Sequence, residues 1–339
     1  MNRIIFIICS LLFMFVHTAV ADETIKVLLM DNPYDPFPSE EAEKLYSLNG
    51  KVFMDGKAYE GSFDVISDKN GLYVVKNLPF EKYIEGVVLS ELGNEKELEP
   101  LKAQAVISRT YAAFHKSQNI HKYFDISSSV RHQLYEGENT SPLISYVVQA
   151  TEGEILTFDD LPVNAVFHAT CEGKTELPEE IWEASYPYLK SVDCKSKNAP
   201  YEKWEKRFSI HKLNEGLGIK ELKNIFISSH TATGRVKMLK AGIVSGKSEQ
   251  EVIKIRATDL RKLLGYKNLP STDFSLNRDG DTFVFRGKGY GHAVGFSQWG
   301  GLAMAKEGKN YTEILAHFYP STRLKNNKDL QFHAFKSER

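Results

Sequence analysis

Helix-like and strand-like segments in irregular order predict an α+β fold: one large domain of mixed helices and short antiparallel strands with an elaborated central region. Three observations carry this prediction. The segments show no regular βαβ alternation. No long run of Pro, Gly or Ser and no internal repeat divides the chain into independent units. Hydrophobic residues make up 42% and charged residues 26% of the 339, so the chain has the composition of a globular protein able to bury a sizeable core. That composition sets aside disorder and a bundle of membrane spans. The formal net charge of −1 gives no broad electrostatic case for nucleic-acid binding.

The first segment reads as processing, not fold. Arg3 precedes an apolar run from Ile4 to Val16, and Ala19-Val20-Ala21 follows as a small-x-small pattern before Asp22 and Glu23. The run is shorter than the roughly 20 residues that span a bilayer. Residues 1–21 therefore predict a secretory signal peptide and an exported protein, in the periplasm or cell-wall space, with no stable membrane insertion after cleavage. Cys9 and Arg3 leave with it, so the net charge becomes −2 and Cys171 and Cys194 remain. In an exported protein that pair reads as one disulfide.

The remaining elements follow in order. Residues 24–31 (TIKVLLMD) predict a first strand, followed by a polar, proline-containing stretch through Asn49. Residues 51–54, 62–66 and 72–75 are short strand-like runs separated by glycine, so 22–69 is a strand-rich segment. Asn77 and Pro79 open a helix. Tyr83, Ile84, Val87 and Val88 share one face of it, and it stops near Gly93. A second helix runs from Pro100 to about His115. Strands follow at 154–158 and 163–168, then helices and strands mix from 200 to 265, with a turn at Thr233-Gly234-Arg235. A strand at 282–285 leads into a glycine-rich loop, 287–295. Ser297 caps a helix closing at Gly308, and a last helix runs from Tyr311 to Pro320. Residues 326–339 form a polar tail.

Several residues have the chemistry to serve a site. Glu91 ends an apolar helix, where the dipole disfavours an acid and partial burial would raise its pKa. The same position also suits an ordinary exposed glutamate. Lys102 and Arg109 share a face of the second helix with Val106 and Ala113, beside small residues that allow close packing. They either line a polar cleft or extend to solvent over packed stems. The loop at 286–295 contains four glycines but matches neither a Walker loop nor a dinucleotide fingerprint. His292 and Gln298 are its polar groups, and Tyr290 and Trp299 its aromatic faces. His168 with Cys171 and Cys194 would suit a metal cluster or a Cys/His nucleophile, and a disulfide would silence both. His121 and His132 make a metal pair of little specificity.

The stretches LPFEKYIEGVVLSE (78–91) and LKAQAVISRTY (101–111) resemble the stage II sporulation protein D family. So do GYGHAVGFSQWG (289–300) and ILAHFYP (314–320). Between them CEGKTE (171–176), Trp182 and PYLKSV (187–192) match the family's central motif, and TGRV (233–236) and LRKLLG (260–265) also fit. The resemblance covers about residues 70–325, read as the catalytic domain, with several motifs in the right order.

The resemblance implies an exported peptidoglycan lytic transglycosylase. It would cleave MurNAc–GlcNAc bonds of glycan strands already stripped of stem peptides. Glu91 takes the family's catalytic position, Lys102 and Arg109 its important basic positions, and Tyr188, His292 and Gln298 are expected to bind substrate. One glutamate suffices if it is first acid and then base, whereas glycoside hydrolysis needs two carboxyl groups. Cations close to Glu91 would oppose the raised pKa this requires, which assigns Lys102 and Arg109 to positioning. Some members carry a zinc site after the second helix. Residues 121–133 here have serines and no cysteine, so neither metal nor cofactor is expected. Cys171 and Cys194 fit the disulfide-bearing exported branch. Partners would be glycan strands and, in a second reading, a cell-wall amidase activated by a non-catalytic glycan binder; a Cys171 peptidase is a third.

Overall fold

The protein is described here by a computed structural model covering residues 23–32, 43–54, 56–68, 71–118, 123–129, 132–137, 141–182, 184–196, 198–245 and 249–329. The predicted signal peptide lies outside these residues, as do His121 and residues 330–339 of the tail. The fold is α+β. Strands β1 (Thr24–Asn32), β2 (Glu43–Met54), β3 (Lys57–Asp68) and β4 (Gly71–Pro79) form an antiparallel sheet ordered β2-β3-β4-β1, and a short strand at Ile126–Ser127 adds parallel to β1. In β3 every second residue from Tyr59 through Phe63 to Val65 turns into the core, the period of a half-buried strand. Strand β2 begins at Glu43, inside the polar stretch through Asn49, and runs on through the strand-like residues 51–54. Pairing with β3, from Glu43 opposite Ser67 to Met54 opposite Lys57, holds a polar sequence extended.

Helix α1 (Phe80–Leu92) starts immediately after β4, with Pro79 as its extended N-cap residue instead of in the first turn. Its Tyr83, Ile84, Val87 and Val88 are fully buried, as their spacing predicts. Helix α2 (Leu98–Gln118) lies at the centre and packs against α1, α3 (Pro142–Ala150), α7 (Gln298–Lys306) and α8 (Tyr311–Phe318). Ala103, Ala105 and Ala112 give it the narrow surface such crowding requires. Ser297 caps α7 by accepting from the Gly300 amide at 3.1 Å, and Asn310 and Glu313 form a capping box on α8. Of the strand expected at 163–168, only Phe167–His168 pairs, in parallel with Phe296–Ser297.

A second hydrophobic cluster lies between Trp204 and Phe285. Two three-stranded antiparallel sheets build it, one from 222–230, 236–245 and 249–256, the other from 204–209, 274–279 and 282–287. The short helix α4 (Pro178–Trp182) precedes this cluster in the chain, and helices α5 (Ile210–Leu217) and α6 (Ala257–Leu264) cover it. Buried Glu176 ties the two clusters, accepting from the Thr231 and Thr233 hydroxyls at 2.7 and 2.6 Å. Among the described residues no helix is long and apolar enough to cross a membrane.

Candidate active site

Glu91 lies in the last turn of α1, half-buried and without a basic residue in that turn. The segment 132–137 runs alongside it. Gly86 allows this approach, because a Cβ there would meet the Tyr135 ring at 2.5 Å. Gln133 donates to the Tyr83 hydroxyl (3.0 Å) and the Ser108 carbonyl (3.2 Å), and the Glu136 amide donates to Ser90 Oγ (3.2 Å). The segment so fixed places the Leu134 amide 3.0 Å from Glu91 Oε1. From the opposite side Gln298, at the start of α7, donates through Nε2 to Glu91 Oε2 at 3.2 Å and to Gln104 Oε1 at 3.3 Å. Gln104 is fully buried in α2 and donates to Ser108 Oγ at 2.9 Å.

Burial raises the Glu91 pKa above the ordinary carboxylate value, the two hydrogen bonds pull it part of the way back, and Glu136 adds to the rise. The carboxyl group is thus held by neutral donors in a setting that favours its proton. It opens onto a cleft of about 430 Å³ lined by Leu89, Asn94, Glu95, Pro100, Gln298 and Trp299, among others. Glu95 is engaged elsewhere, its Oε1 accepting from the amides of Lys96 and Glu97. A wider depression of about 590 Å³ on the second cluster contains none of the predicted site residues.

Of the expected substrate-binding residues, Gln298 joins Glu91. Lys102 does not line the cleft. It pairs with Glu99 at 2.9 Å and lies 5.7 Å from the Tyr311 ring, while Glu99 accepts from the Tyr311 amide, so the trio fastens α2 to α8. Arg109 has no exposed surface. It grips Glu81 with two bonds (2.8 and 2.7 Å) and donates to the carbonyls of Glu154 and Val148. Direct contact between Arg109 and a glycan does not fit this enclosure. Tyr188 is likewise buried, its hydroxyl accepting from the Asn164 amide at 3.0 Å and its ring against Phe158 and Tyr186. The tension between nearby cations and a raised Glu91 pKa dissolves, because each cation is matched by its own acid.

His292 sits apart from Glu91, its ring 4.9 Å from Trp182 and 5.6 Å from His168. Burial pushes it down to about 3, leaving it neutral at pH 7. Cys171 and Cys194 form the disulfide, with Cα atoms 6.0 Å apart. Among the described residues they and His168 are the trio whose ligand atoms converge, within 4.8 Å, and the sulfur–sulfur bond closes both the metal and the nucleophile readings in this state. His132 bonds through Nδ1 to Ser127 Oγ at 2.9 Å. Gln104 and the Leu134 amide were not predicted. A glutamine inside a helix and a loop amide leave no sequence signal, whereas Glu91, Gln298 and Trp299, all singled out in the sequence, line this cleft.

The family described as stage II sporulation protein matches residues 68–158, which contain Glu91, and a domain of unknown function matches 193–295. The chain is 32% identical over 273 residues to an uncharacterised protein of Brachyspira hyodysenteriae, covering 78% of this chain and 72% of that one. It is 32% identical over 267 residues to the stage II sporulation protein D of Bacillus subtilis, covering 74% and 75%. It is also 26% identical over 329 residues to the amidase enhancer of Bacillus subtilis, covering 82% of this chain and 46% of that one.

Proposed function

The chain belongs to the stage II sporulation protein D family, and on that premise we propose that it is an exported lytic transglycosylase acting on peptide-stripped peptidoglycan. The observation that carries this reading is the half-buried carboxyl of Glu91, with a raised pKa, facing a cleft beside Trp299. Protonated Glu91 donates to the glycosidic oxygen as the bond from MurNAc C1 breaks. The carboxylate left behind removes the proton from the sugar's own 6-hydroxyl, whose oxygen closes on C1 to form the 1,6-anhydro ring. No water enters, and Glu91 ends as it began, protonated. Gln298 and the Leu134 amide hold the two carboxylate oxygens through both steps without supplying a charge that would fix the group in its ionised form. Trp299 offers a ring face on which a sugar can pack. The apolar run at 4–16 supports export.

Glu91→Gln keeps the shape and removes the proton. It should lower the release of anhydro-ended fragments from stripped glycan by about a thousandfold, within the range that acid–base catalysis contributes, while the melting temperature stays at or above that of the unsubstituted protein. Undiminished release would contradict the role given to Glu91. The relative named amidase enhancer supports a second reading, in which the chain binds glycan and raises the output of a cell-wall amidase. In that case Glu91→Gln retains the effect on the amidase.

A further inference from the structure

We infer that Arg261, held against the glycine-rich loop, binds the carboxylate of an acidic sugar: the lactyl carboxylate that a muramic acid residue bears once its stem peptide has been removed. The inference rests on the peptidoglycan reading above and extends it to the feature by which stripped glycan is told from intact glycan.

Arg261 lies in α6 and is 9% exposed. Its Nε donates to the carbonyls of Leu269 (3.0 Å) and Pro270 (3.1 Å), and the Gly291 amide donates to the same Pro270 oxygen at 3.0 Å. The guanidinium also stacks over Tyr266, 4.8 Å from Cζ to the ring centroid. Anchored by Nε and by stacking, the side chain has a fixed orientation, and the edge carrying Nη1 and Nη2 is the part that matches a carboxylate with two parallel bonds. Among the described residues no acid pairs with it. The other deeply buried arginines are compensated: Arg109 has Glu81, and Arg235 bonds to Thr233 and the Lys174 carbonyl near Glu176 and Asp273. A buried cation without a counter-ion is costly, and an incoming anion relieves that cost. Burial accordingly depresses the Arg261 pKa, to about 10.

The neighbours favour a sugar as the bearer of the anion. Gly291 packs so tightly on His168 that an added Cβ would meet His168 Cβ at 2.6 Å, which brings His168 and His292 to the loop that Arg261 braces. His168 Nδ1 bonds to the Val294 carbonyl at 3.2 Å, and its Nε2 is buried with no partner, an acceptor suited to a hydroxyl. Trp182, 44% exposed, offers an aromatic face beside His292. One planar fork with aromatic faces suits a single carboxylate on a sugar better than a phosphate, which usually gathers several cations. The site abuts the strand pair that carries Gln298 toward Glu91, for the Trp299 amide donates to the Ala169 carbonyl at 3.0 Å, next to His168. With the stem peptide attached, an amide replaces the carboxylate and the charge is absent.

Calorimetric titration of the full chain carrying Glu91→Gln tests this, using stripped glycan and the same glycan with its lactyl carboxylates converted to amides. The carboxylate form should bind about tenfold more tightly. Arg261→Gln in the same background should bring the two affinities within about twofold, and Arg261→Lys should keep part of the difference. Equal affinities for the two glycans, or full discrimination by Arg261→Gln, would overturn the inference. The comparison of the two glycans needs no substitution at Arg261, so it decides even if Arg261→Gln fails to fold. Cleavage plays no part in the readout: an absence of anhydro products would remove the transglycosylase reading and leave this one standing.

Discussion

Glu91 must carry a proton to act as the acid, and its surroundings decide at which pH it does so. Burial raises its pKa, whereas the bonds from Leu134 and Gln298 favour the ionised form and lower it. Activity should therefore fall as pH rises through that raised pKa. Gln298→Leu removes one of the lowering bonds and should move the basic limb of the kcat/KM profile to higher pH. An unmoved limb, or one shifted to lower pH, would contradict this assignment. The sequence exposes Glu91 through a misfit, an acid at the helix end that prefers cations. It exposes Lys102 and Arg109 as cations on one helix face. Their neutralising acids, Glu99 and Glu81, come from the preceding turn and from another helix, so their confinement emerges only in three dimensions.

Helix α2 owes its central position to small residues and to Arg109, whose guanidinium joins it to α1 through Glu81 and to the carbonyls of Glu154 and Val148. Arg109→Ala leaves those groups without their donor and should destabilise the fold by about 3 kcal/mol, measured by urea denaturation. Loss of less than about 1 kcal/mol would show that Arg109 does not hold these elements together. Helices with strong punctuation were legible: α7 and α8 by Ser297, Gly308 and Pro320, and α1 by its apolar spacing. Helix α3 escaped notice although Ser141 caps it and Pro142 opens it. Of strand β2, residues 51–54 were legible as a strand-like run, and residues 43–50 were not, because their extension comes from pairing with β3, which the sequence does not record.

At the scale of the whole molecule, the motifs that surround Glu91 come from distant parts of the chain. Residues 80–92, 98–118, 132–137 and 297–302 meet at one cleft, and the α+β order of segments anticipated none of these contacts. The second hydrophobic cluster braces the glycine-rich loop through Arg261 and through the bond from Trp204 Nε1 to the Gly289 carbonyl at 3.0 Å. The near-neutral charge of the chain fits a substrate with scattered single carboxylates, which calls for individual clamps more than a charged surface. The central claim is that one glutamate cleaves glycan without water. Digestion of stripped glycan in heavy-oxygen water, followed by mass spectrometry of the fragments, tests it most directly. Cleavage by Glu91 alone gives anhydro ends, one water lighter than hydrolysis products and free of the heavy isotope; hydrated reducing ends carrying the label would contradict it.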